Sequence, residues 1–97
     1  MLVVLPKGQG ILSSSLTVYL EDDTGQSIPD VEIKLLNTSK NILKTQSTDN
    51  NGIAVFNKLK DGNYYVRINK QTGYHIFDDK PVAVNGDTDD TVVLELE

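Results

Sequence analysis

Turn-forming segments recur along the chain at short intervals, and this spacing restricts the fold more than any other feature. The segments are EDDTGQ, IPD, NTSKN, DNNG, KDGN, KQTG and NGDTDD. Between them lie short runs, such as 16–20 and 31–35, in which apolar and polar residues alternate. A period of two is typical of strands with one buried face, and no window has a helical period. The sequence therefore predicts an all-β antiparallel sandwich of about seven strands.

The alternation also predicts the strands and the core. We expect strands at 16–20, 31–35, 42–48, 52–56, 64–68, 81–84 and 91–96. The side chains expected to face inward are Leu16, Val18, Leu20, Val31, Ile33, Leu35, Ala54, Phe56, Leu59, Tyr64, Val66, Ile68, Val92, Leu94 and Leu96.

The residues before the first predicted strand form a separate segment. We expect an N-terminal arm at 1–15 and the sandwich domain at 16–97. Apolar side chains at a free terminus are prone to aggregation unless they are covered. Strand addition, to this sandwich or to the sheet of a neighbour, would cover them. The partner-binding candidates in the arm are Leu2, Val3, Val4 and Leu5.

A second set of partner-binding candidates lies on the strand predicted at 52–56. Ile53 and Val55 point outward if Ala54 and Phe56 point inward. Outward apolar residues on a short strand indicate a covered edge or a contact with a protein partner. The alternative is that the N-terminal arm folds over them.

Composition excludes several functional classes. The 97 residues suffice for one domain, and the net charge of -5 argues against binding nucleic acid or an anionic membrane. With no Cys, disulfides and thiolate metal sites are impossible. No stretch is long and apolar enough to span a bilayer. We expect no cofactor.

Acidic residues in two turns are the candidates for a metal site. Asp22, Asp23 and Asp49 would supply oxygen ligands for Ca²⁺ if their loops met at one end of the sandwich. Their spacing lacks the alternating acidic pattern of a dedicated calcium loop. The sequence therefore favours solvated turn formers, and Asp87, Asp89 and Asp90 are interpreted in the same way.

Other polar and aromatic residues give no catalytic pattern. His75 lies near Asp78 and Asp79, but no Ser occupies a strained strand-to-helix turn and no phosphate-binding loop is present. We therefore expect a protein that is not an enzyme. Tyr19 and Tyr65 fall on the outward faces of their strands, where they would stack on a glycan or pair across strands.

Two segments carry a resemblance to a known family. VYLEDDTGQSIPDVEIKLL, residues 18–36, and TDNNGIAVFNKLKDGNYYVRI, residues 48–68, resemble the B-type repeats of Gram-positive surface proteins. The resemblance covers roughly residues 16–97. It implies an Ig-like, prealbumin-like β-sandwich, a fold also seen in carboxypeptidase regulatory-like domains, and one that is put to many uses.

Many members of this family form an internal isopeptide bond between a first-strand Lys and a last-strand Asn or Asp, with the help of a buried acid. The Lys position corresponds to Tyr19 in this sequence, or to a neighbour that is also not Lys, and the acid position corresponds to Ile68. The strand predicted at 91–96 contains no Asn or Asp. We therefore predict that the chain has no isopeptide bond.

The sequence leaves two functions open. A start at Met1 without an export signal, together with the apolar arm, favours a decoration or fibre protein on a phage particle, located in the virion and bound to a capsid or tail protein. The alternative is a stalk or spacer repeat of a Gram-positive adhesin or pilin, attached to the cell wall and in contact with a neighbouring surface domain. Carbohydrate binding is a third hypothesis.

Overall fold

The computed structural model describes residues 12–97 and contains seven strands. They are β1 (Ser14–Asp22), β2 (Glu32–Leu36), β3 (Ile42–Ser47), β4 (Ile53–Leu59), β5 (Gly62–Arg67), β6 (Lys80–Val84) and β7 (Asp87–Leu94). Residues 12–97 include no helix that could cross a lipid bilayer. The predicted arm residues Leu2, Val3, Val4 and Leu5 lie outside the described residues.

The strands form two sheets that pack face to face. A three-stranded sheet has the order β4-β1-β7, and a four-stranded sheet has the order β3-β2-β5-β6. The all-β sandwich predicted from the turn spacing is therefore confirmed. The chain crosses repeatedly from one sheet to the other. For this reason β1, β4 and β7 share one layer although long segments separate them in sequence.

One strand pair departs from the expected antiparallel arrangement. β1 pairs in parallel with β7 over eight residue pairs, from Ser15 opposite Asp87 to Asp22 opposite Leu94. The other neighbouring strands are antiparallel. The parallel pair arises because β7 enters the first sheet from the same end of the sandwich as β1.

The strand bounds differ from the prediction mainly at β7. This strand begins at Asp87, not at 91, so the expectation that Asp87, Asp89 and Asp90 form a turn was wrong. Period-two patterning missed this part of the strand because polar residues occupy both of its faces. β1 also begins at Ser14, two residues before the predicted start at 16.

The core contains all but one of the predicted residues. Leu96 is 41% exposed, because it lies beyond β7 in an isolated bridge with Tyr74. Three further apolar side chains are buried among residues 12–97 and were not predicted: Ile28, Leu36 and Val84. Leu36 lies on the face of β2 opposite to Leu35, across from Tyr65 in the β2–β5 register, and it is fully buried there.

Candidate functional site

The β1–β2 loop and the β3–β4 turn lie together at one end of the sandwich. Leu20 N–H donates to the Gly52 carbonyl at 2.8 Å. Gly52 has a φ of 75°, and a Cβ at this position would lie 2.5 Å from the Leu20 carbonyl oxygen and 3.1 Å from Ile28 N. The loops that carry Asp22 and Asp49 therefore meet at this end, which was the condition set for the calcium hypothesis.

The carboxylates at this end are used within their own turns. Asp22 Oδ1 accepts hydrogen bonds from Thr24 Oγ1 at 2.6 Å, Thr24 N at 2.8 Å and Gln26 N at 3.0 Å. The Thr24 hydroxyl, followed by the Gln26 amide, lowers the pKa of Asp22. Asp49 Oδ1 likewise accepts from the backbone N–H of the residues two and four positions later.

These contacts bear on the metal hypothesis. Residues 12–97 contain no group of three or more His, Cys, Asp or Glu side chains arranged to hold a metal ion. Asp23 is exposed at the tip of its turn. Asp22, Asp23 and Asp49 therefore have a sufficient explanation as turn residues, since Asp side chains commonly accept hydrogen bonds from the backbone two residues later.

A buried threonine joins the same loops from inside. Thr48 is 2% exposed, and its Oγ1 donates to the Ile28 carbonyl at 2.8 Å while it accepts from Val31 N–H at 2.9 Å. A buried polar group without a partner is costly, and here one hydroxyl satisfies two backbone groups. The β1–β2 loop is thereby fixed to the end of β3.

The opposite end of the sandwich is joined through Asp61. Its Oδ1 accepts from Ser14 Oγ at 2.5 Å and from Gly86 N–H at 2.8 Å. The start of β1, the β4–β5 turn and the β6–β7 turn therefore share one carboxylate. The two turn motifs within residues 48–68 lie at opposite ends of β4, so the length of this one strand sets their separation in sequence.

The outer face of the three-stranded sheet carries an apolar patch. We call Tyr19, Ile53, Val55 and Val93 the outer patch. Ile53 lies opposite Tyr19 in the β1–β4 register, and Val93 lies opposite Glu21 in the β1–β7 register. Tyr19, Val55 and Val93 are each about two-fifths exposed, and Ile53 is half-buried. The structure therefore brings the predicted partner-binding residues Ile53 and Val55 together with two further side chains.

Tyr65 has a different environment from Tyr19. Lys40 Nζ lies 4.1 Å from the centroid of the Tyr65 ring, which is a cation–π arrangement. One face of the ring is therefore covered, and of the two tyrosines only Tyr19 retains the open setting that the glycan hypothesis requires.

Lys40 also belongs to an ionic network on the four-stranded sheet. Asp79 accepts from Arg67 Nε at 2.9 Å and Nη2 at 2.7 Å, and from Lys40 Nζ at 2.9 Å. Arg67, and then Lys40, hold the pKa of Asp79 far below its usual range, while Asp79 raises the pKa of Arg67. The network joins the β2–β3 turn, β5 and the start of β6.

Another ion pair, Lys80–Asp90, connects the two sheets through their edge strands β6 and β7. Lys80 Nζ on β6 lies 3.1 Å from Asp90 Oδ1 on β7 and donates to the Thr91 carbonyl at 2.9 Å. Asp90 Oδ2 is buried without a hydrogen-bond partner among the described residues. Because β7 begins earlier than predicted, the last strand does contain Asp, but Asp90 faces β6, and β1 contains no Lys.

His75 lies in a shallow cleft at the end of the sandwich where β7 finishes. The cleft has a volume of about 490 Å³, and its lining includes Asp78 and Glu95 but no Ser, Thr or Cys. The His75 backbone N–H donates to the Glu95 carbonyl at 2.8 Å. The described residues therefore bring no hydroxyl or thiol nucleophile to this histidine, and its backbone hydrogen bond joins the β5–β6 loop to the chain after β7.

Comparison with known proteins identifies the group to which this sandwich belongs. The family model of the SdrD B-like domain matches residues 19–93. A curated relative, serine-aspartate repeat-containing protein D of Staphylococcus aureus strain Newman, is 35% identical over an alignment of 77 residues, and the match covers 74% of this chain. The chain spans 6% of the length of that relative.

Solved structures share the fold at lower identity. The minor pilin GBS52 of Streptococcus agalactiae has a TM-score of 0.74 and 19% identity, over 90% of this chain and 46% of its own. A D312A form of BcpA, the major pilin subunit of Bacillus cereus, has a TM-score of 0.75 and 17% identity, over 87% of this chain and 29% of its own. With the family model matching most of its length, this chain belongs to the SdrD B-like domain family.

Proposed function

We propose that this domain is a non-enzymatic spacer module of a Gram-positive cell-surface adhesin or pilin. The observation that carries the proposal is the parallel pairing of β1 with β7. Because both strands run in the same direction, the chain enters the domain at one end and leaves it at the other. Eight paired residues correspond to roughly 25 Å along the strands. Each such module therefore adds its own length to a chain that contains it.

The comparisons support this choice over the particle hypothesis. The relatives reported above are a serine-aspartate repeat-containing protein and two pilins, and none of them is described as a virion component. A domain that spans 6% of a long relative fits a repeated module of a larger chain. The location expected for such a module is the cell wall, with neighbouring surface domains as its protein partners.

The proposal is tested by locating the protein in the cells that encode it. Antibodies raised against residues 12–97 would be applied to intact cells, to wall material released by muramidase, to membranes and to sedimented phage particles. We expect the label on intact cells and in the released wall fraction, as part of a polypeptide much longer than 97 residues. Label confined to phage particles or to the cytoplasm would refute the proposal.

A length series tests the spacer role itself. One, two or four copies would be placed between a binding domain of known ligand and a wall anchor in a Gram-positive host. A spacer should make the binding domain increasingly accessible to a large ligand as copies are added, with unchanged affinity for the free ligand. Access that is independent of copy number would argue against this role.

A further inference from the structure

The last strand of the three-stranded sheet has one edge without a neighbouring strand. β7 pairs with β1 alone, on its other side. The Gly86 carbonyl accepts a hydrogen bond from Ser15 N–H of β1, so even-numbered residues of β7 direct their backbone groups toward β1 and odd-numbered ones toward the free edge. A free strand edge is a template on which a further extended segment can pair.

Val93 has an open donor and an open acceptor on this free edge. Two residues before it, the Thr91 carbonyl accepts from Lys80 Nζ at 2.9 Å. Two residues after it, the Glu95 carbonyl accepts from His75 N–H at 2.8 Å. Among residues 12–97, no hydrogen bond engages the N–H or C=O of Val93. Val93 lines the cleft of about 490 Å³ that contains His75, which we call the His75 cleft.

Apolar side chains form much of the wall of the His75 cleft. Ile76 is 75% exposed, more than any other large apolar side chain within residues 12–97. Val93 and Pro81 are also exposed, and Phe77 is half-buried against the core. Exposed apolar side chains gathered at one place are typical of a binding surface.

The unpaired charges at the His75 cleft are negative. Lys80 is engaged by Asp90, and Asp79 is engaged by two basic side chains. Asp78 and Glu95 line the cleft, are exposed, and form no ion pair within the described part of the chain. An extended segment that carries a cation beside apolar residues is therefore complementary to this cleft.

Residues 2–7 of this chain, LVVLPK, have the composition that the His75 cleft requires. Four apolar side chains match its wall, and Lys7 matches its two free carboxylates. Main-chain hydrogen bonds to Val93 would add affinity that does not depend on side chains. This segment contains the partner-binding candidates of the N-terminal arm.

The position of the segment favours the cleft of another copy over its own. The chain joins the sandwich at Ser14, whereas Val93 lies opposite Glu21, seven residues further along β1. That separation is roughly 23 Å. The seven residues from Lys7 to Ser14 span at most about 24 Å when fully extended. No length would remain for the reversal of direction that binding to the same domain needs.

We propose that residues 2–7 of one copy bind as an extended segment along Val93 in the His75 cleft of a second copy. The segment and the cleft belong to opposite ends of the domain, so the contact repeats from copy to copy in a head-to-tail row. The inference concerns contact between copies and does not depend on the spacer function.

Analytical ultracentrifugation of the full chain over a range of concentrations provides the first test. The average mass should rise with concentration, and deletion of residues 2–7 should abolish the rise while the melting temperature at low concentration stays the same. A single-copy mass at every concentration would overturn the proposal. A single-copy mass combined with a lower melting temperature after the deletion would show that the segment binds its own domain, which also overturns it.

Exchange of charges tests the pairing of Lys7 with the cleft. Lys7→Glu and Glu95→Lys should each weaken the association severalfold, and the double variant should regain most of it. Asp23→Lys is the matched control, because Asp23 is exposed and does not line the cleft. Failure of the double variant to associate better than either single variant would contradict the proposed pairing.

The apolar wall is tested separately by Ile76→Ser. This variant should associate severalfold more weakly than the unsubstituted chain. Leu43→Ser is the matched control, since Leu43 on β3 is also an exposed apolar residue but does not line the cleft. Equal weakening by both serine variants would place the contact outside the His75 cleft and overturn the proposal.

Discussion

At the scale of single residues, Gly52 is a position where the backbone leaves no space for a side chain. A Cβ there would meet the Leu20 carbonyl oxygen at 2.5 Å, whereas Gly25, with a φ of 87°, has open space around it. Both positions disfavour an L side chain through their positive φ. Of the two, only Gly52 adds a steric clash with the backbone.

We therefore expect Gly52→Ala to destabilise the domain more than Gly25→Ala. Backbone strain alone should cost about 1 kcal/mol in Gly25→Ala. Gly52→Ala should cost clearly more, because the two loops at that end must also separate. Urea unfolding of both variants measures the difference, and equal losses would mean that the loops do not pack as described.

The Lys80–Asp90 contact is the residue pair that bears on covalent cross-linking. Lys80 Nζ donates to both Asp90 Oδ1 and the Thr91 carbonyl, and with Asp90 it forms an ion pair. We expect an intact mass equal to the sum of the residues. A deficit of one water would show that an amide bond has formed, and would contradict the predicted absence of a cross-link.

At the scale of elements, β4 has one face in the core and one in the outer patch. Phe56 is fully buried, whereas its neighbour Val55 is 40% exposed. Phe56→Ala should cost about 3–5 kcal/mol, because it leaves a cavity in the core. Val55→Ala is the matched control, and chemical denaturation should show a much smaller loss. A reversed order would mean that the two faces of β4 are assigned backwards.

The Asp79 network, which joins the β2–β3 turn, β5 and the start of β6, predicts how the stability of the domain depends on pH. Arg67 and Lys40 depress the pKa of the Asp79 carboxyl in the folded state. The ion pairs of Asp79 therefore stabilise the fold fully at pH values above the pKa that Asp79 has in the unfolded chain. This stabilisation is lost as the pH falls toward the lower pKa of the folded state. The unfolded carboxyl has an ordinary pKa of roughly 4. Melting temperatures of the unsubstituted chain and Asp79→Asn should therefore differ at about pH 6 and converge toward about pH 2.

The control for this pH experiment is Asp23→Asn, since Asp23 is exposed at the tip of a turn. Its melting temperature should follow that of the unsubstituted chain across the same range. A difference for Asp79→Asn that stays constant between neutral and acidic pH would show that the ion pairs do not contribute through the charge of Asp79.

At the scale of the whole molecule, the sequence predicted the sandwich and most of the core, because alternation reports which face of a strand is buried. It missed Leu36, because alternation assigns this residue to the face of β2 opposite to Leu35, and the start of β7, where polar residues occupy both faces. The parallel pairing of β1 with β7 depends on contacts between residues far apart in sequence, which local patterns do not encode.

The measurement that tests the central claim most directly is the distance between the chain ends. Spin labels would be attached at Ser13→Cys with Glu97→Cys, and separately at Ser13→Cys with Asn85→Cys. Parallel pairing of β1 and β7 predicts roughly 25 Å or more for the first pair. It predicts close contact, seen as broadened spectra, for the second pair, because Ser15 lies opposite Asp87. A short distance for the first pair and a long one for the second would contradict the parallel arrangement and the spacer function built on it.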